Sequence, residues 1–323
     1  MKILAAMLIS YATVSGAEQL TLKATIPLPG VKGRFDHFAI DTNTHRLFLA
    51  ALGHNTVEII DTANAKRLQT ITGQHKPCGI AFLPQRFFVA NGDDGTVKVY
   101  ESETYKLVKN ITGLDDADNV RYDAKANLIY VGYGDGALGA IDPQKLETVA
   151  SIKLKAHPES FQLEQNSPRI FVNLPDAKQI AVVDRAKRSV ITTWPMEKFQ
   201  ANFPMALDEA NHRLFIGCRK PARLAVVDTG TGKITADCSL SGDTDDLFWD
   251  AARKCIYIAC GEGFVDVLSD EGGNFTRTAH ITTRGGARTA YFAPAFSEFY
   301  LAVPDRIGTP AELRIFTAKQ SAR

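Results

Sequence analysis

From Arg34 to Ile71 the apolar positions fall into short runs separated by turn residues. Phe38-Ala39-Ile40 closes on Asp41, Leu47-Phe48-Leu49-Ala50-Ala51 follows a turn, Val57-Glu58-Ile59-Ile60 closes on Asp61, and Arg67-Leu68-Gln69-Thr70-Ile71 completes the set. Short runs rich in β-branched and aromatic residues, bounded by Gly, Asn, Asp and Thr, predict strands rather than helices. The second run returns six times, as Phe87-Phe88-Val89-Ala90-Asn91, Ile129-Tyr130-Val131-Gly132-Tyr133, Ile170-Phe171-Val172-Asn173-Leu174, Leu214-Phe215-Ile216-Gly217-Cys218, Ile256-Tyr257-Ile258-Ala259-Cys260 and Phe299-Tyr300-Leu301-Ala302-Val303. The last residues of the first strands, Asp41, Leu83, Asp123, Glu164, Asp208, Asp250 and Ala293, recur every 40 to 44 residues. Four strands at that period are the mark of a propeller blade. One such sheet cannot bury both of its faces, whereas stacking sheets in a closed ring buries them and hides most edges. The pattern therefore predicts an all-β fold, a seven-bladed β-propeller of four-stranded antiparallel blades. Because Leu313-Arg314-Ile315-Phe316 is the last blade's third strand with little after it, Leu20 to Ile26 is expected to supply the outer strand and close the ring.

The first residues change the expected compartment. Met1-Lys2 is a positive start, Ile3 to Val14 is mostly apolar, and Ser15-Gly16-Ala17 offers the small residues that a signal peptidase reads. Residues 1–17 are expected to be a cleaved export signal and 18–323 a single propeller domain, periplasmic or secreted, with no membrane span after cleavage; the apolar stretch is short of the ~20 residues a spanning helix needs. Without residues 1–17 the chain keeps 36 basic and 36 acidic side chains. Such neutrality lacks the basic excess of a nucleic-acid binder. Five cysteines, an odd number, leave at least one unpaired. Cys255 and Cys260, five apart on one strand, point to opposite faces and cannot bond to each other.

In an up-and-down sheet the loops before strand one and between strands two and three gather on one face of the disc. The turns on the other face, such as Asp41-Thr42-Asn43-Thr44 and Asp228-Thr229-Gly230-Thr231-Gly232, carry residues that tight turns require and are read as purely structural, His45 and His212 with them. The first face differs. Its innermost strands are entered through Asp36-His37, Cys78-Gly79, Asp118-Asn119, Glu159-Ser160, Phe203-Pro204, Asp245-Asp246 and Arg288-Thr289, with Asp115, Asp116, His157, Asn202 and Asp243 just before them. These side chains should converge on the channel axis, with His54, Arg219-Lys220 and Asp305 to Pro310 as a rim. Crowded carboxylates need a cation, an arginine or protons to relieve their repulsion, or else each caps its own loop through backbone N–H groups. Oxygen ligands suit calcium or magnesium, and added imidazole shifts the preference toward zinc or copper. Candidate ligand-binding residues are Asp36, His37, Asp118, Asn119, His157, Glu159, Asn202, Asp245, Asp246 and Arg288, and candidate metal ligands are His37, His157, Glu159 and Asp245. The sequence has no glycine-rich phosphate loop, no Gly-x-Ser-x-Gly elbow and no Cys-x-x-Cys-His haem attachment.

The blade text, with Arg46-Leu47-Phe48-Leu49-Ala50, Arg86-Phe87-Phe88-Val89-Ala90-Asn91, Leu128-Ile129-Tyr130-Val131-Gly132 and Arg169-Ile170-Phe171-Val172-Asn173 each followed by a third strand, resembles the YVTN-repeat (YncE-like) bacterial β-propellers. The resemblance spans residues 34–317. It implies export and a propeller fold, and it leaves the activity open, since similar propellers include haem-binding domains of periplasmic nitrite reductases, a seven-bladed lactonase group and surface-layer proteins. Where haem-binding relatives supply histidine beside the channel, His37 and His157 are the candidates in this sequence by position. Three readings follow. One is a periplasmic accessory protein whose channel mouth binds a divalent metal ion, a cofactor such as haem, or a small polar ligand. Another is a metal-dependent hydrolase of the lactonase type, with Glu159, Asp118 or His157 as base and Arg288 on the substrate's negative charge. A scaffold for a periplasmic protein partner is the last.

Overall fold

The computed structural model describes residues 19–319, so the expected export signal lies outside the described residues. Seven sheets of four antiparallel strands form the ring. Blade one comprises Phe38–Asp41, Arg46–Ala51, Thr56–Asp61 and Lys66–Ile71, paired in that order from the channel outward. Six of the seven register marks end their innermost strands as expected, and the fourth strand stops one residue earlier, at Leu163. There Glu164 still donates its N–H to the carbonyl of Arg169 at 3.0 Å, and its carboxylate takes the Arg169 guanidinium.

Leu20–Leu28 pairs with Ala311–Ala318, Ile26 lying opposite Leu313, so chain start and chain end share the seventh blade. Among the described residues the apolar core divides into seven clusters, each drawn from two neighbouring blades. Phe48 and Phe87, with ring centroids 4.7 Å apart, join blades one and two. Tyr257, Phe292 and Phe299 join blades six and seven. Middle strands are buried along most of their length, whereas an outer strand such as Ser189–Pro195 is exposed at every position but Trp194.

The face opposite the polar mouth shows the expected turn chemistry. Asp41, Asp61, Asp123 and Asp228 accept hydrogen bonds from backbone N–H groups two or three residues on, and His45 and His212 sit at φ 56° and 55° in turns. All five cysteines are free; Cys255 and Cys260 pack into different inter-blade clusters. At the mouth, Gly79 has a local reason: a Cβ there would collide with the carbonyl oxygen of Asp118 in the next blade. A side chain at Gly79 would push apart the two strand entries that carry the polar ring.

Ring closure makes the blades one cooperative unit. Ile26→Ala, at a position 2% exposed in the cluster between blades seven and one, is expected to cost about 2–5 kcal/mol. Denaturant unfolding followed by tryptophan fluorescence and far-ultraviolet circular dichroism should show one coincident transition at lower denaturant; a separate early phase would contradict closure by this strand.

Candidate functional site

Each inner strand begins by hydrogen bonding to the strand beside it. The N–H groups of Asp36, Asp118 and Glu159 donate to the carbonyls of Ala50, Gly132 and Asn173 at 2.8, 2.9 and 3.0 Å. This fixes equivalent residues at the same height around the channel. All seven entry residues, Asp36, Cys78, Asp118, Glu159, Phe203, Asp245 and Arg288, line one hollow of about 250 Å³. His37, Arg34, Lys76, Asp116, His157 and Arg219 complete the wall.

The acids do not cap their own loops. Among the described residues, no backbone N–H donates to the carboxylates of Asp36, Asp118, Glu159 or Asp245. Instead the charged side chains face one another. His157 and Asp118 approach to 3.7 Å through Nε2, and His37 lies 3.4 Å from Asp36 through Nε2. Two sets of ligand atoms each lie within 4.8 Å of one another, Asp36–His37–Asp118 and Asp118–His157–Glu159. Asp118 belongs to both.

Both imidazoles are anchored on the far side of the ring. Nδ1 of His157 is 2.7 Å from the carbonyl of Gly134; a carbonyl only accepts, so Nδ1 carries the proton and Nε2 faces the hollow. For His37, Nδ1 lies 3.3 Å from Asp246, whose other oxygen accepts from the Ala290 N–H at 2.8 Å. An anchored Nδ1 with Nε2 turned inward is the arrangement that orients metal-bound histidine.

Protonation at the mouth follows from crowding. Burial, with the charges of Asp118 and Asp245, pushes Glu159 up to about 8. Asp36 rises to about 7, chiefly through burial and against the pull of His37. Although burial opposes a charged imidazole, Asp246 and Asp36 hold His37 up at about 10. The Asp118 contact lifts His157 to about 9. Burial works against Asp118 as well, yet His157 and His37 keep it below its ordinary value. Without another cation, two of the acids retain protons near neutrality.

Asp245 has a different place from the one its sequence position suggests. Arg288 and Arg219 both reach it, Arg288 Nε at 3.0 Å, and Arg288 Nη1 also holds both oxygens of Asp243 at 2.9 Å. Burial still pushes Asp245 upward against those two arginines. It belongs to neither ligand set. Asn202 is fully buried and donates to Asn173 Oδ1 at 2.9 Å, away from the hollow. Asn119 is buried, and its Oδ1 has no hydrogen-bond partner among the described residues. His54, Lys220 and Arg306 do not line the hollow, whereas Arg219 does and stacks 3.8 Å over Phe203.

Arg34 and Lys76 are wall residues that the reading by entry pairs passed over. A signal for them existed: both stand two residues before an entry position, as Asp116, His157 and Asp243 do, and an extended chain returns to the same face every second residue. Lys76, Asp116, Ala201, Asp243 and Gly286 at these positions share a positive φ, the turn by which the chain swings into the inner strand.

No family model matches the chain, and no curated protein matches it. Among solved structures it is similar to a chain of the hydrazine synthase of Kuenenia stuttgartiensis, with TM-score 0.75 and 15% identity over 88% of this chain and 98% of that one. It is also similar to a chain of a mitotic checkpoint complex, with TM-score 0.76 and 13% identity over 98% and 97%. Identity this low carries the β-propeller fold alone.

The raised groups fix the sign of a pH effect. A group whose pKa is higher in the folded chain stabilises it below the unfolded value, and that contribution is lost as pH rises through the folded value. Asp36, Glu159, His157 and His37 all act this way, with folded values of about 7, 8, 9 and 10. Melting temperature in EDTA should therefore fall from pH 6 to pH 10. The double variant Asp36→Asn, Glu159→Gln should flatten the part of the fall between pH 6 and 8; an unchanged slope would contradict the assignment.

Proposed function

We propose that this chain is an exported, YVTN-type propeller that binds a divalent metal ion in the mouth of its channel, through Asp118, His157 and Glu159 with Asp36 and His37 beside them. One observation carries the reading: both histidines are anchored through Nδ1 and turn Nε2 into a cluster of carboxylates, of which Asp36 and Glu159 otherwise hold protons. A cation would replace those protons and relieve the repulsion that raises Asp36 and Glu159. Imidazole with carboxylate suits zinc, manganese, iron or copper better than calcium. The hollow of about 250 Å³ falls below the ~300–1,000 Å³ of pockets that enclose drug-sized ligands. It suits an ion with a small polar group, and its size argues against haem. Asp245 serves in this reading as the counter-charge that holds Arg288 and Arg219 at the wall. The export assignment rests on residues 1–17 and the family assignment on the blade text.

A metal-dependent hydrolase is the second reading, favoured by Glu159. With the ion held by the Asp36–His37–Asp118 set, a carboxyl lifted to about 8 beside it is suited to take or give a proton near neutrality. A bound ion would polarise a carbonyl or activate water, and the arginine pair would hold an anionic group of a substrate such as a hydroxy-acid lactone.

Elemental analysis of protein purified without chelator or affinity tag, with titration of zinc and manganese into EDTA-stripped protein, tests the site. Saturation at 100 times the dissociation constant should add about 2.7 kcal/mol of stability. Asp118→Asn and His157→Ala should each weaken binding by about tenfold or more while the variants stay folded. Stripped protein that neither ion stabilises would overturn the metal site. Stabilisation without turnover of any lactone would leave binding as the function and remove the hydrolase.

A further inference from the structure

The channel holds a second chamber beyond the mouth, and its chemistry is different. Three residues after each entry position, or about 10 Å farther along an extended strand, comes another ring: Ala39, Ala81, Arg121, Gln162, Ala206, Phe248 and Tyr291. All seven line a cavity of about 420 Å³, within the ~300–1,000 Å³ typical of small-molecule sites. The alanines of blades one, two and five leave the space. Arg121, Gln162, Phe248 and Tyr291 wall the rest, and Ile40 and Phe82 extend the apolar surface one residue farther on. His37 lines both the mouth and this chamber, so the His37–Asp246 pair separates them. Tyr122, 37% exposed, stands at the outer end.

Arg121 is the unusual member. Arg185, Arg213, Arg253 and Arg288 each pair with an aspartate. Among the described residues no carboxylate lies within ion-pair distance of Arg121. Its contacts are one hydrogen bond to the carbonyl of Val120 at 2.8 Å and the Phe161 ring, 5.7 Å away. Burial depresses its pKa, against the more distant charges of Asp246 and Asp118. A guanidinium held partly out of water without a counter-ion is costly. The Tyr291 hydroxyl has no hydrogen-bond partner among the described residues and shares the ring with Arg121. Gln162 spends Nε2 on the carbonyl of Met205 at 2.8 Å. Ser160, Gln162 and the His37–Asp246 pair keep the mouth end of the chamber polar, while Ile40, Phe82 and Phe248 make an apolar wall beside Arg121 and Tyr291. A cation without a counter-ion next to that wall matches a ligand with a single anionic end and an apolar body.

We propose that this chamber binds an organic monocarboxylate, its carboxylate taken by Arg121 and the Tyr291 hydroxyl and its apolar body packed against Phe248, Phe82 and Ile40. The two N–H groups of a guanidinium edge match the two oxygens of a carboxylate. The site is independent of the metal at the mouth and serves equally whichever reading of the mouth holds.

Isothermal titration of the full protein with trans-cinnamate, octanoate and the uncharged cinnamyl alcohol, each with and without EDTA, tests the proposal. At least one acid should bind, more tightly than the alcohol and equally in both buffers. Arg121→Gln should weaken it by roughly tenfold or more, and Arg121→Lys should recover part of the loss. Ala81→Leu, which fills the chamber and leaves its charge intact, should block binding with the circular dichroism spectrum unchanged. An acid bound equally by wild type and Arg121→Gln, or folded wild type that binds neither acid at millimolar concentration, would overturn the proposal. Binding lost on adding EDTA would place the acid at the mouth and also overturn it.

Discussion

Apolar packing between blades is the constraint on which the rest depends. No blade has a core of its own: every cluster takes residues from two neighbours, and the last is completed by Ile26 and Leu28 from the chain's beginning. A ring so closed has no free blade face. It also fixes the height of each strand along the channel, because inner strands of successive blades touch. The functional consequence is geometric. Residues at one sequence offset from the register mark are delivered to one level of the channel, and each level becomes a ring with its own chemistry.

At the mouth that delivery creates an electrostatic problem which the structure solves in two ways. On the side of blades five to seven, Arg219 and Arg288 neutralise Asp243 and Asp245 by direct pairing. On the side of blades one, three and four, Asp36, Asp118 and Glu159 meet two anchored imidazoles, and the balance is made by protons. The first half is a finished set of ion pairs. The second half keeps exchangeable protons on buried and half-buried groups, which is where a cation or proton-transfer chemistry has most to gain.

A few ångströms farther along the axis the crowd of acids ends. A ring of three alanines, Gln162, Phe248 and Tyr291 replaces them, and Arg121 is the one full charge of that ring. His37, tied to Asp36 on one side and Asp246 on the other, stands where the two environments meet. A channel whose two levels differ in this way offers two distinct places for ligands while needing only the alternation that each strand already has.

The architecture was legible in the chain because it repeats: a 40-to-44-residue period sets the blade number, and an unpaired last blade calls for the N-terminal strand. Entry residues could be read for the same reason, and all seven share one hollow. What sequence position could not decide was the direction and partner of each side chain. Asp245 and Glu159 are both entry carboxylates, yet only Asp245 meets two arginines, one from its neighbouring blade five and one from blade seven. Asn202, one residue before its entry position where His157 stands two before, turns into the blade toward Asn173. The chamber walled by Arg121 and Tyr291 was invisible, since each of its rings takes one residue from every blade and reads as ordinary strand interior along the chain. Local pattern determines which level of the ring a residue reaches; only closure of the ring determines what faces it there.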